Sequence, residues 1–175
     1  MERSLDLLAP ELDPTRLTAV MSRLHGFWRA AEAGLDDWAA RFPADADSVT
    51  WSARRRAGLF AADLTTLGAA PADSEPRLAR VAGTDAALGR LYVLEGATLG
   101  GTFIDRHLSG LPGLDGIRLR AFSPYGAETG AMWHAFRRAT RNRVAHGGNP
   151  DAMLTAATST FRSLAAWCAP AETAA

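Results

Sequence analysis

Lysine is absent from this 175-residue chain, and all 19 basic side chains are arginine. An anionic ligand can therefore be held by side chains only through guanidinium or imidazole groups, and the planar guanidinium matches a carboxylate in bidentate fashion. Cysteine is nearly absent as well. The single residue, Cys168, excludes an internal disulfide and a cysteine-based zinc cage, and it reads as a buried or helix-end thiol. No run of about 18 apolar residues occurs, and the start lacks the basic-then-apolar layout of a secretory signal. A cytoplasmic chain without a membrane partner is expected. Nor does charge of one sign dominate. Equal numbers of acidic and basic residues leave a formal net charge of zero, which excludes a global basic field for nucleic acid.

What is present is helical periodicity. With 47% hydrophobic residues, the chain has the length of one domain, 1–175, able to bury a real core. Asp13-Pro14 supplies an N-cap followed by proline at the first helical position. Leu17, Val20, Met21, Leu24, Phe27 and Trp28 then recur at spacings of three and four, predicting a helix over about 14–33. A short helical piece is expected at 2–8 and another at 35–42 ending at Pro43, with the Ala-Asp-Ala-Asp-Ser stretch after it as a loop. Further helices are expected over about 52–67, closed by Gly68, from 84 to Gly110, over 128–144 and over 151–167, with room for an extended piece at 117–122. No repeat and no sustained alternation breaks this pattern. The fold class is all-α, a helical bundle with helices of mixed length.

The long helix from Thr84 carries glycines at 96, 100 and 101, each costing about 0.8–1 kcal/mol relative to alanine in a helix interior. Two uses could compensate. Another helix could cross at close range, or a flat ligand could lie on bare backbone. The four histidines, His25, His107, His134 and His146, lack the paired spacing of a metal cage. His25 reads as partly buried and structural, His107 as favouring a helix C-terminus, and His146 as solvated in a loop. Arg137, Arg138 and Arg141 follow Trp133 and Phe136 on one helix, either as a solvated face or as a cationic rim for an apolar molecule bearing carboxylates. Arg54-Arg55-Arg56 forms a second cluster that could dock an acidic protein. No nucleophile elbow, phosphate loop or dinucleotide fingerprint occurs.

The stretch Leu91-Tyr-Val-Leu-Glu-Gly-Ala-Thr-Leu-Gly-Gly101 resembles the distal-helix motif of bacterial biliverdin-producing haem (heme) oxygenases, especially the bacteriophytochrome-associated branch. Leu24-His-Gly-Phe27 with Glu32, Asp63-Leu64 with Leu67-Gly68, Tyr125-Gly126, Trp133 with Phe136, and Phe161 with Trp167 keep the family's order over nearly the whole chain. The resemblance implies a haem oxygenase-like bundle with haem as substrate and cofactor between a proximal and a distal helix. It implies Gly96 and Gly100 against the porphyrin, with Tyr92 and Leu99 nearby and Gly101 continuing a flexible kink. It also implies that Arg138 pairs with a propionate, that His134 is a second basic group, and that Phe161 closes the pocket.

Two departures follow. Ala97 stands where some members have an aspartate that organises distal water, although the bacteriophytochrome-associated branch tends to a small residue there. Aligning Glu2 with the family's first-helix glutamate places the axial histidine two residues before Met1. The expectation is a start shortened by a helix turn or more, or else a member without that ligand. With the ligand, the implied reaction opens haem to biliverdin, carbon monoxide and ferrous iron. Electrons would come from an external reductase or ferredoxin, and a phytochrome is a candidate recipient of the product. The alternative is a non-catalytic haem oxygenase-like protein that binds haem, biliverdin or another apolar acid. A third reading is an interaction bundle whose glycines serve helix crossing alone.

Overall fold

Asp13 opens the first helix as its sequence context predicts. Its carboxylate accepts from the backbone N–H of Arg16 at 2.9 Å, and Pro14 occupies a position that needs no N–H. The computed structural model describes residues 7–9, 12–71, 73–111, 114 and 117–169. In it this helix, α1 (Pro14–Arg41), continues through Gly34 and unites the two helices expected at 14–33 and 35–42. A Cβ at Gly34 would collide with the guanidinium of Arg90, so glycine there makes room for a side chain from another helix and does not end α1. Pro43 likewise starts an element as well as closing one. The stretch expected to be a loop forms α2 (Pro43–Ser48), with proline at its first position.

The helix expected at 52–67 divides into a 3-10 turn (Trp51–Arg54) and α3 (Ala57–Thr66). Gly68 follows at φ 76°, the left-handed conformation that favours glycine past a helix end. The glycine-bearing helix is α4 (Thr84–Leu108), helical throughout. After a 3-10 turn (Gly126–Glu128) come α5 (Thr129–Ala145) and α6 (Pro150–Cys168). No strand occurs among the described residues, and the 117–122 stretch is irregular. In place of a sheet partner, the Asp63 carboxylate accepts from the N–H groups of Arg120 and Ala121 at 2.8 and 2.7 Å. The helix expected at 2–8 lies outside the described residues except for Leu7 and Leu8, which form a turn.

The bundle is organised around α4. Helix α6 runs beside it in the same direction. Asp85 near the start of α4 accepts from Asn149 N–H at 3.0 Å, and a turn later Gly89 meets the Met153 carbonyl too closely for a Cβ. Helix α1 runs the opposite way. Near its end the Trp38 indole donates to the Thr84 hydroxyl, and nearer its start the Arg23 carbonyl accepts from the Trp167 indole. Between them lies a contiguous apolar core that includes Leu17, Met21, Phe27, Leu35, Phe60, Leu64, Leu91, Phe136 and Leu164. Among the described residues no helix is long and apolar enough to cross a membrane.

Candidate functional site

The glycines of α4 divide into two kinds. A Cβ at Gly101 would run into the Phe122 backbone, and one at Gly89 into the Met153 carbonyl. At Gly96 and Gly100 the same Cβ meets nothing within 4 Å. Close packing therefore accounts for Gly89 and Gly101 and leaves Gly96 and Gly100 without an intramolecular use among the described residues. Gly101, expected beside the other two at the ligand, is buried on another side of the helix and serves chain packing.

At 100° per residue, Tyr92, Gly96, Leu99, Gly100 and Phe103 form one stripe of α4. Its large members are unusually open, with Tyr92 50%, Leu99 40% and Phe103 67% exposed. Apolar residues exposed in a continuous row mark interaction or ligand surfaces more often than isolated ones do. The stripe is thus a notched apolar surface: two bare backbone positions flanked by aromatic and aliphatic side chains. Phe161 is 48% exposed on α6, the helix that packs along α4.

Helix α5 supplies an aromatic and cationic border. The Tyr92 ring lies 5.2 Å from Trp133 and 6.4 Å from Phe136, and the Arg137 guanidinium lies 6.0 Å from the Trp133 ring centre. His134, Arg138 and Arg141 share one exposed stripe of α5 at spacings of four and three. Neither Arg138 nor Arg141 has an acidic partner among the described residues, so their guanidinium donors face solvent. Tyr92, Gly96, Leu99 and Gly100 are thus brought onto one surface, with Trp133 against it and His134 and Arg138 on the adjoining helix.

Behind the stripe lies a polar network that local sequence reasoning missed. Arg54, Arg56 and Glu95 are all buried. Glu95, next to Gly96, pairs with Arg54 and accepts from the Tyr125 hydroxyl at 2.8 Å. Arg54 also donates to the Met132 carbonyl at 3.3 Å and lies 5.6 Å from the Phe136 ring centre, reaching α5. Arg56 donates to the carbonyls of Leu94 and Ala121 and stands 4.9 Å from the Trp28 ring centre. Burial holds its guanidinium down to about 10, against the attraction of Tyr125, Glu95 and Glu32. Burial likewise pushes up the carboxyl of Glu95, opposed chiefly by Arg54 and the Tyr125 hydroxyl. Glu32 caps the start of α3, accepting from Arg56 and Ala57 N–H at 2.6 and 2.8 Å. The Arg54-Arg55-Arg56 cluster is therefore not a docking surface. Two of its members point inward, and exposed Arg55 pairs with Asp36.

The remaining titratable groups are structural in their surroundings. His25 is buried in α1; His107 Nε2 lies 3.0 Å from the Ala9 carbonyl, and His146 Nδ1 lies 2.7 Å from the Asn142 carbonyl. Cys168 is buried, which pushes its thiol up to about 11 and keeps it unreactive. Among the described residues no group of three or more His, Cys, Asp or Glu could hold a metal ion. No family model, no curated protein and no solved structure matches this chain.

Proposed function

We propose that this chain is a haem oxygenase-type protein whose α4 stripe receives one face of haem, for oxidative opening to biliverdin. The observation that carries the reading is the open space over Gly96 and Gly100. Each glycine costs a helix interior about 0.8–1 kcal/mol, and no other part of the described chain uses the room. A flat, rigid, apolar ring lying on the backbone uses it. Tyr92 and Leu99 flank the notch, Trp133 extends it, and the half-exposed Phe161 of α6, the helix packed along α4, is the candidate to close over the ring. Arg138 and His134 supply donors for carboxylates at the ring's edge.

Bound haem supplies the redox centre for oxygen activation, and a separate reductase or ferredoxin supplies the electrons. The chain's own residues bind and orient. Glycine at 96 and 100 permits close approach, the aromatic and aliphatic flanks keep water from the face, and the α5 cations fix the ring's rotation through its carboxylates. These residues fit the ring better than they fit the iron. His25 and His107 are held in the fold, His146 is bonded at the α5 end, and His134 sits on the rim. No described histidine would thereby be left to hold the haem iron. That observation favours a second reading, in which the same surface binds haem, biliverdin or another apolar acid without turnover.

Hemin titration separates these outcomes. Saturable binding with a sharp Soret band, followed by biliverdin formation with a reductase and ferredoxin, is the result expected of the oxygenase. Binding without turnover is the result expected of the second reading, and turnover only when free imidazole is added identifies a missing iron ligand. A spectrum of free hemin at all protein concentrations overturns both readings.

A further inference from the structure

Arg90 leaves α4 on a different side from the glycine stripe and is only 5% exposed. It donates to the carbonyls of Ala31 at 3.3 Å and of Ala79, while its Nε has no acceptor. The other two buried arginines differ from it. Arg54 is paired with Glu95, and Arg56 stands in the field of Glu95 and Glu32. Arg90 has no carboxylate facing it among the described residues, and burial alone lowers its guanidinium from the ordinary value. A buried charge that only carbonyl dipoles offset remains electrostatically unmatched.

Arg90 lines an open groove of about 830 Å³ between α1 and the irregular 75–81 segment. The α1 wall is built of small residues, Ala30, Ala33, Gly34 and Ala40, which leave the space clear. Arg41, Arg77 and Arg80 add three further cations. Of the two acids in the lining, Glu75 is engaged by Arg29 at 2.9 Å, leaving Asp37 as the other. Arg41 is anchored by the carbonyls of Asp37, Val81 and Ala82, so it is held at the groove without a carboxylate of its own. Four arginines around an open volume, one of them a buried charge without a carboxylate, suit oxyanions.

We propose that this groove binds a small molecule through a phosphate or carboxylate group, with Arg90 as the buried counter-charge and Arg41, Arg77 and Arg80 as the outer clamp. The site shares no lining residue with the α4 stripe and does not depend on what that stripe binds.

Calorimetric titration of the full chain with inorganic phosphate and with citrate, against chloride at equal ionic strength, tests the proposal. Saturable binding of phosphate, of citrate or of both is expected, and which one binds identifies the anion class. The double variant Arg77→Ser with Arg80→Ser, both exposed, should weaken that binding about tenfold with the fold intact. Arg90→Gln should weaken it at least as much, whereas Arg118→Ser, which removes the same charge from the 117–122 stretch, should leave it unchanged. Neither anion exceeding chloride overturns the proposal. So does binding that survives the double variant unaltered, and that arm holds even where Arg90→Gln fails to fold.

Discussion

Glu95→Ala is expected to destabilise the fold by about 3–5 kcal/mol in urea denaturation, because it strands the Arg54 guanidinium in the interior without its counter-charge. Both side chains of the pair are only 1% exposed, so water cannot replace the lost partner. The Tyr125 hydroxyl loses its acceptor at the same time. A buried ion pair is nevertheless weak evidence of net stabilisation, since desolvation of two charges offsets much of their attraction. The double variant Glu95→Leu with Arg54→Met should therefore recover part of the loss. Recovery stays incomplete because the Val49 and Met132 carbonyls also accept from Arg54. A cost below about 1 kcal/mol for Glu95→Ala would mean that the pair is hydrated and not an interior contact.

The same network explains how the α4 stripe and the α5 border keep their relation. Arg54 starts in the 3-10 turn after α2, pairs with α4 through Glu95, and reaches α5 through Met132 and Phe136. Asp85 makes a second tie, pairing with Arg143 of α5 at 2.8 Å. Cationic side chains can hold a ligand's carboxylates only at a fixed distance from the surface that holds its ring. Glu95→Ala should thus loosen the rim as well as lower stability.

Local signals made the helices legible. Asp13-Pro14 and Asn149-Pro150 each combine a capping side chain with a proline that needs no donor, and both open a helix. Gly68 ends one in the left-handed region. The errors came where a local signal has two meanings. Pro43 closes α1 and opens α2, while Gly34, a breaker by propensity, is kept inside α1 because Arg90 needs its missing side chain. The site shows the same division. The stripe of Tyr92, Gly96, Leu99 and Gly100 follows from helical spacing alone, whereas the inward turn of Arg54 and Arg56 depends on partners 38 to 65 positions away in sequence. One signal for Glu95 was available. A charged residue adjoining the apolar row Leu88, Leu91 and Leu94 requires either an edge position or a buried partner.

Alanine at the α4 glycines should separate packing from ligand binding by the sign of its effect. Gly101→Ala is expected to cost at least about 2–3 kcal/mol, because its Cβ meets the Phe122 backbone, which cannot rotate away as a side chain can. Gly96→Ala and Gly100→Ala place a Cβ in open space within a regular helix and should each stabilise the free protein by about 0.5–1 kcal/mol. Larger replacements then test function without the confusion of misfolding. Gly96→Leu and Gly100→Leu retain the fold but raise a side chain into the notch, and each should weaken hemin binding by about a hundredfold, roughly 2.7 kcal/mol. Thermal denaturation of the free protein and Soret titration measure the two effects independently. Hemin binding by Gly96→Leu and Gly100→Leu as tight as by the native chain would show that the ring does not lie on this stripe. Destabilisation by Gly96→Ala would instead show that another part of the chain covers the notch, giving these glycines the close-packing role of Gly89 and Gly101.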